Sequence, residues 1–156
     1  MIRAGGLVLS LLTVSTPAWS PPIEYALPLV RVTDPRFIAP EPYRADVIRY
    51  AARYGIPLDI AVRLAYEESR WRPTLISRNR NRTWDHGLYQ LNSAFHRIKL
   101  PWANIRDGLA YLAQCCRATG TWRKAVAAYQ AGIDGARKSP WKGAREAARV
   151  VLGGIE

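Results

Sequence analysis

Residues 58–73 read LDIAVRLAYEESRWRP, and this stretch decides the fold class. Leu58, Ala61, Val62 and Ala65 recur at the spacing that gathers side chains on one face of a helix. Pro57 suits the start of that helix, because the first turn leaves backbone N–H groups unpaired in any case, and Trp71 to Pro73 marks the exit. Glu68 lies on the continuation of the same stripe, after Ala61 and Ala65 and beside Trp71. A carboxyl in such a place is partly desolvated, which disfavours its charged form and raises its pKa. It then keeps a proton near neutral pH, the state a general acid needs in order to donate to a leaving oxygen. By position alone, a solvated or capping carboxylate is the more ordinary reading. Glu67, one position earlier, turns about 100° away on the helix, toward Arg63, as a surface ion pair would.

Working outward, Val47, Tyr50, Ala51 and Tyr54 predict a first helix over 43–54, ended by Gly55. Between Ser77 and Thr83 stand Arg78, Asn79, Arg80, Asn81 and Arg82, too polar for a core and suited to an exposed turn or short hairpin. A further helix is predicted over 104–118, stopping at Gly120. Thr121 can cap another that runs to Gly132, and a last one covers 143–152 with Ala147, Ala148, Val151 and Leu152 as its buried face. The pattern is mainly α (α+β), a helical domain with a small β-hairpin element.

The chain has 156 residues and is 49% apolar, enough for one domain with a modest core. Near its start, Arg3 precedes the run Leu7, Val8, Leu9, Ser10, Leu11, Leu12, Thr13, Val14, with small residues at Ser15, Thr16 and Ala18. Residues 1–18 are therefore expected to be a signal peptide; a short membrane anchor or an ordinary apolar helix is the alternative. Prolines 21, 22, 28, 35, 40 and 42 make 19–42 an extended leader, and the folded domain is expected over 43–156.

Lys and Arg number 23 against 12 Asp and Glu, a formal net charge of +11. That balance favours a polyanionic partner: nucleic acid, an anionic membrane surface, or a cell wall carrying carboxylates and phosphates. Export selects the wall, in a periplasmic or extracellular setting, and with the scattered arginines it counts against a nucleic-acid partner. No stable membrane insertion is expected once the signal is removed. Cys115 and Cys116 are adjacent, a poor geometry for a mutual bridge, and Cys116 shares a helical face with Leu109 and Leu112. With two His, at 86 and 96, and no matching ligand set, neither a metal nor another cofactor is expected.

Four motifs stand in order: Glu68-Ser69, Gly87-Leu88-Tyr89-Gln90, Asn104-Ile105 with Gly108, and Ala128-Tyr129-Gln130-Ala131-Gly132. In this order and spacing, over about 43–135, the chain resembles the catalytic domain of soluble lytic transglycosylases, relatives of goose-type lysozyme. The resemblance implies a lysozyme-like helical domain and a carbon–oxygen lyase acting on peptidoglycan. Glu68 would be its sole general acid/base, with a groove for alternating N-acetylglucosamine and N-acetylmuramic acid. It also implies a 1,6-anhydro-muramyl product from the MurNAc–GlcNAc bond. Gln90 is implied to bind substrate, though a Gln there can equally bond backbone. Tyr129 matches a motif tyrosine whose hydroxyl approaches the catalytic glutamate, though a core ring beside Val126 is the alternative. Ser69 either holds the carboxylate of Glu68 or bonds backbone. Asn104 and Gly108 are read as structural, as cap and close-packing positions.

The chain departs from the family pattern at Gln130, where the family usually has Asn, and at Tyr89, where it usually has Met. The stretch TWDHGLYQLNS also resembles the segment of animal-type lysozymes that carries their second carboxylate, so Asp85 is a candidate to face Glu68 across the cleft. Two competing functions remain open: a muramidase using Asp85 and water on the same fold, and a non-catalytic wall-binding module or adaptor. The partner, beyond the glycan strands, could be an envelope-spanning secretion or phage assembly.

Overall fold

The computed structural model describes residues 34–97, 100–138 and 142–153. The expected signal segment 1–18 and residues 19–33 of the leader lie outside the described residues. Among the described residues, six α-helices accompany a small sheet: α1 (Arg44–Arg53), α2 (Leu58–Ser69), α3 (Pro101–Thr119), α4 (Trp122–Ala131), α5 (Ile133–Lys138) and α6 (Lys142–Val151). The sheet is antiparallel in the order β1 (Ile76–Arg78), β2 (Trp84–His86), β3 (Leu91–Asn92). The fold is thus mainly α with a small β element. Among the described residues no helix is long and apolar enough to cross a membrane.

The apolar stripe of α2 is buried as the sequence predicts, except that Leu58 at its start is exposed while Ile60 and Leu64 join Ala61, Val62 and Ala65 inside. The helix stops abruptly because Arg70 and Trp71 both take positive φ, 52° and 60°, a region costly for residues with side chains. Two contacts hold this turn: the Arg70 N–H donates to the Tyr66 carbonyl at 2.8 Å, and the Trp71 indole N–H donates to the Arg36 carbonyl at 3.0 Å. Glu67 pairs with Arg70 at 2.9 Å rather than with Arg63. The Arg63 guanidinium lies 4.4 Å from the ring centre of Phe37, and that ring meets Tyr66 edge-on at 5.3 Å. Phe37 and Ala39, in the segment expected as leader, are buried in the core, so packed structure begins before residue 43.

α3 begins at Pro101, three residues earlier than predicted, and ends at Gly120, whose positive φ of 82° suits a residue without Cβ. Thr121 caps α4 by accepting from the Lys124 N–H at 3.2 Å. The short helix α5 and the strand β3 are additions to the predicted elements. Leu109, Leu112 and both cysteines are buried on α3, and the thiols are free. On α6, Ala144 takes the fully buried place expected for Ala147, alongside Ala148 and Val151.

One residue ties these layers together. Tyr89 is fully buried; its hydroxyl donates to the Ala61 carbonyl on α2 at 3.0 Å and its N–H donates to Asn104 Oδ1 on α3 at 2.8 Å. The carbonyl of Tyr89 accepts from the Tyr129 hydroxyl on α4 at 2.6 Å. Asn104, also fully buried, donates from Nδ2 to the His86 carbonyl at 3.0 Å, so it staples the whole His86–Tyr89 turn to α3. It sits inside α3 and is not a helix cap. Gly108 lets α3 approach: a Cβ there would lie 2.4 Å from the Tyr89 Cβ.

Candidate active site

The elements described above enclose a cleft of about 900 Å³ with α2, the sheet, α3, α4 and α5 in its walls. Glu68 reaches it from the last turn of α2. Asp85 reaches it from β2 because strand side chains alternate faces. In the register, His86 pairs with Ile76 and Leu91, and His86 and Leu91 point into the core, so Asp85 and its partner Asn92 take the opposite face. Asp85 Oδ1 accepts from Asn92 Nδ2 at 2.8 Å, and Asn92 also donates to Thr83 Oγ1 at 2.9 Å. The aspartate is thereby oriented by a cross-strand side chain.

The Glu68 carboxyl is pushed up from its ordinary range to about 8, first by burial, then by the negative charge of Asp85, and then by that of Glu67. Burial withholds water from the anion, and two nearby anions make a third less favourable. The Gln130 side chain donates from Nε2 to Glu68 Oε1. A protonated carboxyl so placed, open to a groove and oriented by an amide, can give a proton to a group bound in the cleft and take one back.

The other expected residues fall into different places. Tyr129 lines the cleft and its charge balance is tied to Glu68, but its hydroxyl donates to the Tyr89 carbonyl; burial holds its pKa well above the usual phenol range. Gln90 lines the cleft with a backbone φ of 41°. Its amide nitrogen donates to the Gly87 and Leu75 carbonyls at 2.8 and 3.1 Å, so that half of the side chain closes the turn. Ser69 does not line the cleft: it is buried, and its hydroxyl donates to the Ala65 carbonyl one helical turn back at 3.1 Å.

Three contributors were not read as site residues. Gln130 holds Glu68. Tyr111 lies tilted against Tyr129 with ring centres 5.1 Å apart and meets His96 edge-on at 6.0 Å, making an aromatic wall. Phe95 is 85% exposed at the cleft's edge, unusual for a ring that size. Among the described residues, no three His, Cys, Asp or Glu gather as metal ligands.

The chain matches the family described as Transglycosylase SLT domain over residues 46–149, from α1 to α6, and it belongs to that family. It is a member of the lysozyme-like, peptidoglycan-acting lytic transglycosylase group. A search of curated proteins finds no relative that matches.

Proposed function

We propose that this protein cleaves the bond between N-acetylmuramic acid and the following N-acetylglucosamine of peptidoglycan, with Glu68 as acid and then base. The observation that carries this reading is the half-buried carboxyl of Glu68, its pKa raised to about 8, in the wall of a cleft that also holds Asp85, Gln130 and the rings of Tyr111 and Tyr129. Glu68 gives its proton to the glycosidic oxygen as the bond to the anomeric carbon breaks, and positive charge grows on the muramyl ring. The substrate's N-acetyl oxygen or the Asp85 carboxylate stabilises that charge. The Glu68 carboxylate then takes the proton of the ring's own 6-hydroxyl as that oxygen bonds to the anomeric carbon, leaving a 1,6-anhydro end. A tethered hydroxyl competes well with water because its effective concentration is high. The substrate lies outside the cytoplasm, which agrees with export directed by residues 1–18.

Hydrolysis is the second reading, favoured by one observation: Asp85 shares the cleft with Glu68 closely enough to raise its pKa. Mass spectrometry of digested peptidoglycan separates the two. Anhydro-muramyl ends support the transglycosylase, reducing muramic acid ends support the muramidase, and unaltered fragments leave a binding module.

A further inference from the structure

Arginines at positions 36, 44, 49, 70, 106 and 149 pair with carboxylates. Arg80 and Arg82, in the turn between β1 and β2, have no acidic partner among the described residues. Of the two, Arg80 lines the cleft, and among the described residues it is the one Lys or Arg that does. The walls otherwise carry the acids Glu68, Asp85 and Asp134.

The turn that bears Arg80 is held by its polar side chains. Thr83 Oγ1 donates to Asn81 Oδ1 at 2.7 Å and accepts from Asn79 Nδ2 at 3.1 Å, while the Asn79 N–H donates to the Thr83 carbonyl at 2.9 Å. Asn92 on β3 ties Thr83 into the sheet. The neighbours of Arg80 are thus used in fixing the turn, and its guanidinium is left for something else. β3 runs back toward this turn, since the Ser93 N–H donates to the Trp84 carbonyl at 2.7 Å. The chain after β3 therefore brings exposed Phe95 to the same end of the cleft.

A cation and an exposed ring at one end of a cleft fit a sugar that carries a carboxylate. Of the two alternating sugars, only the muramic acid side does, on its lactyl group when the peptide is absent or on the peptide stem when it is present. Resting on the reading that the cleft takes peptidoglycan, we propose that Arg80 is a specificity-determining residue whose guanidinium pairs with a carboxylate on the muramic acid side of the strand. A guanidinium matches a carboxylate with two parallel N–H donors.

The experiment compares binding and kcat/KM for three substrates: stem-bearing strands, strands stripped of stems by an amidase, and chitin oligosaccharides, which carry no carboxylate. Arg80→Gln is expected to lower the preference for a carboxylate-bearing strand over chitin by about threefold to tenfold. Arg80→Lys should recover part of it, and Arg82→Gln should leave it as it was. Loss confined to stem-bearing strands identifies the peptide carboxylate, and loss confined to stripped strands identifies the lactyl group. An unchanged preference on both strands, or an equal loss in Arg82→Gln, overturns the proposal. Equilibrium binding keeps the two claims apart. Strands bound with an Arg80-dependent preference but never cut would contradict the catalytic reading and leave this one standing.

Discussion

The side-chain amide of Gln130, on α4, donates to the carboxyl of Glu68, on α2, across 62 residues of chain. The contact exists because Tyr89 draws α2, α3 and α4 to one turn, and α4 then presents consecutive residues to different tasks. Tyr129 closes on the Tyr89 backbone, and Gln130 holds the acid.

The raised pKa of Glu68 sets a pH limb. Glu68 keeps its donating form below about 8, so kcat/KM should hold near neutrality and fall as pH rises through that value. Asp85→Asn removes the second-largest cause of the shift and should move this limb to lower pH, whatever it does to the rate. Rate profiles of both proteins check this; a limb that stays in place would separate Asp85 from Glu68. Stability follows the same sign. The folded state holds a proton that the unfolded chain, with an ordinary value of 4.5, gives up. This contribution is full below about 4.5 and lost as pH rises through about 8.

Asn104→Ala leaves the Tyr89 N–H and the His86 carbonyl buried without their partner. At about 1–3 kcal/mol for each unpaired group, a loss of about 2–6 kcal/mol is expected. Gly108→Ala should also destabilise, since the added carbon overlaps Tyr89. Thermal unfolding reads both, and melting points within a degree or two of the parent would mean that the turn is held some other way.

Phe37→Ala should cost about 3 kcal/mol, the usual scale for emptying a buried aromatic site, because the ring fills the space between Arg63 and Tyr66. Unchanged stability by denaturant titration would return residues 34–42 to the status of a passive leader.

The α-rich fold was legible because five of the helices announce themselves through apolar spacing and caps. α5 was not, since its six residues are too few for a repeat. β3 is shorter still, at two residues. The start of α3 was hidden by Trp102, an exposed ring where a buried one would have signalled the helix. Within the site, the apolar stripe made Glu68 a candidate, and the four motifs standing in order selected it over the more ordinary reading as a solvated or capping carboxylate. The direction of polar side chains could not. Whether Ser69 turns to its own helix, or Gln90 to its own turn, depends on backbone carbonyls whose positions the sequence does not carry. The pairing of Glu67 with Arg70 rather than Arg63 followed from Phe37, which occupies Arg63 from a segment read as extended leader.

The central claim concerns which of two adjacent carboxylates does the chemistry, and paired variants assayed on peptidoglycan test it most directly. Glu68→Gln should fold and bind strands yet lose about 10² to 10⁴ in turnover, the usual share of general acid/base catalysis. Glu67→Gln gives up an exposed ion pair with Arg70 and should stay close to the parent rate near neutral pH. The contradicting result is a Glu68→Gln protein that keeps more than about a tenth of the parent turnover, or a Glu67→Gln protein that loses as much as its neighbour.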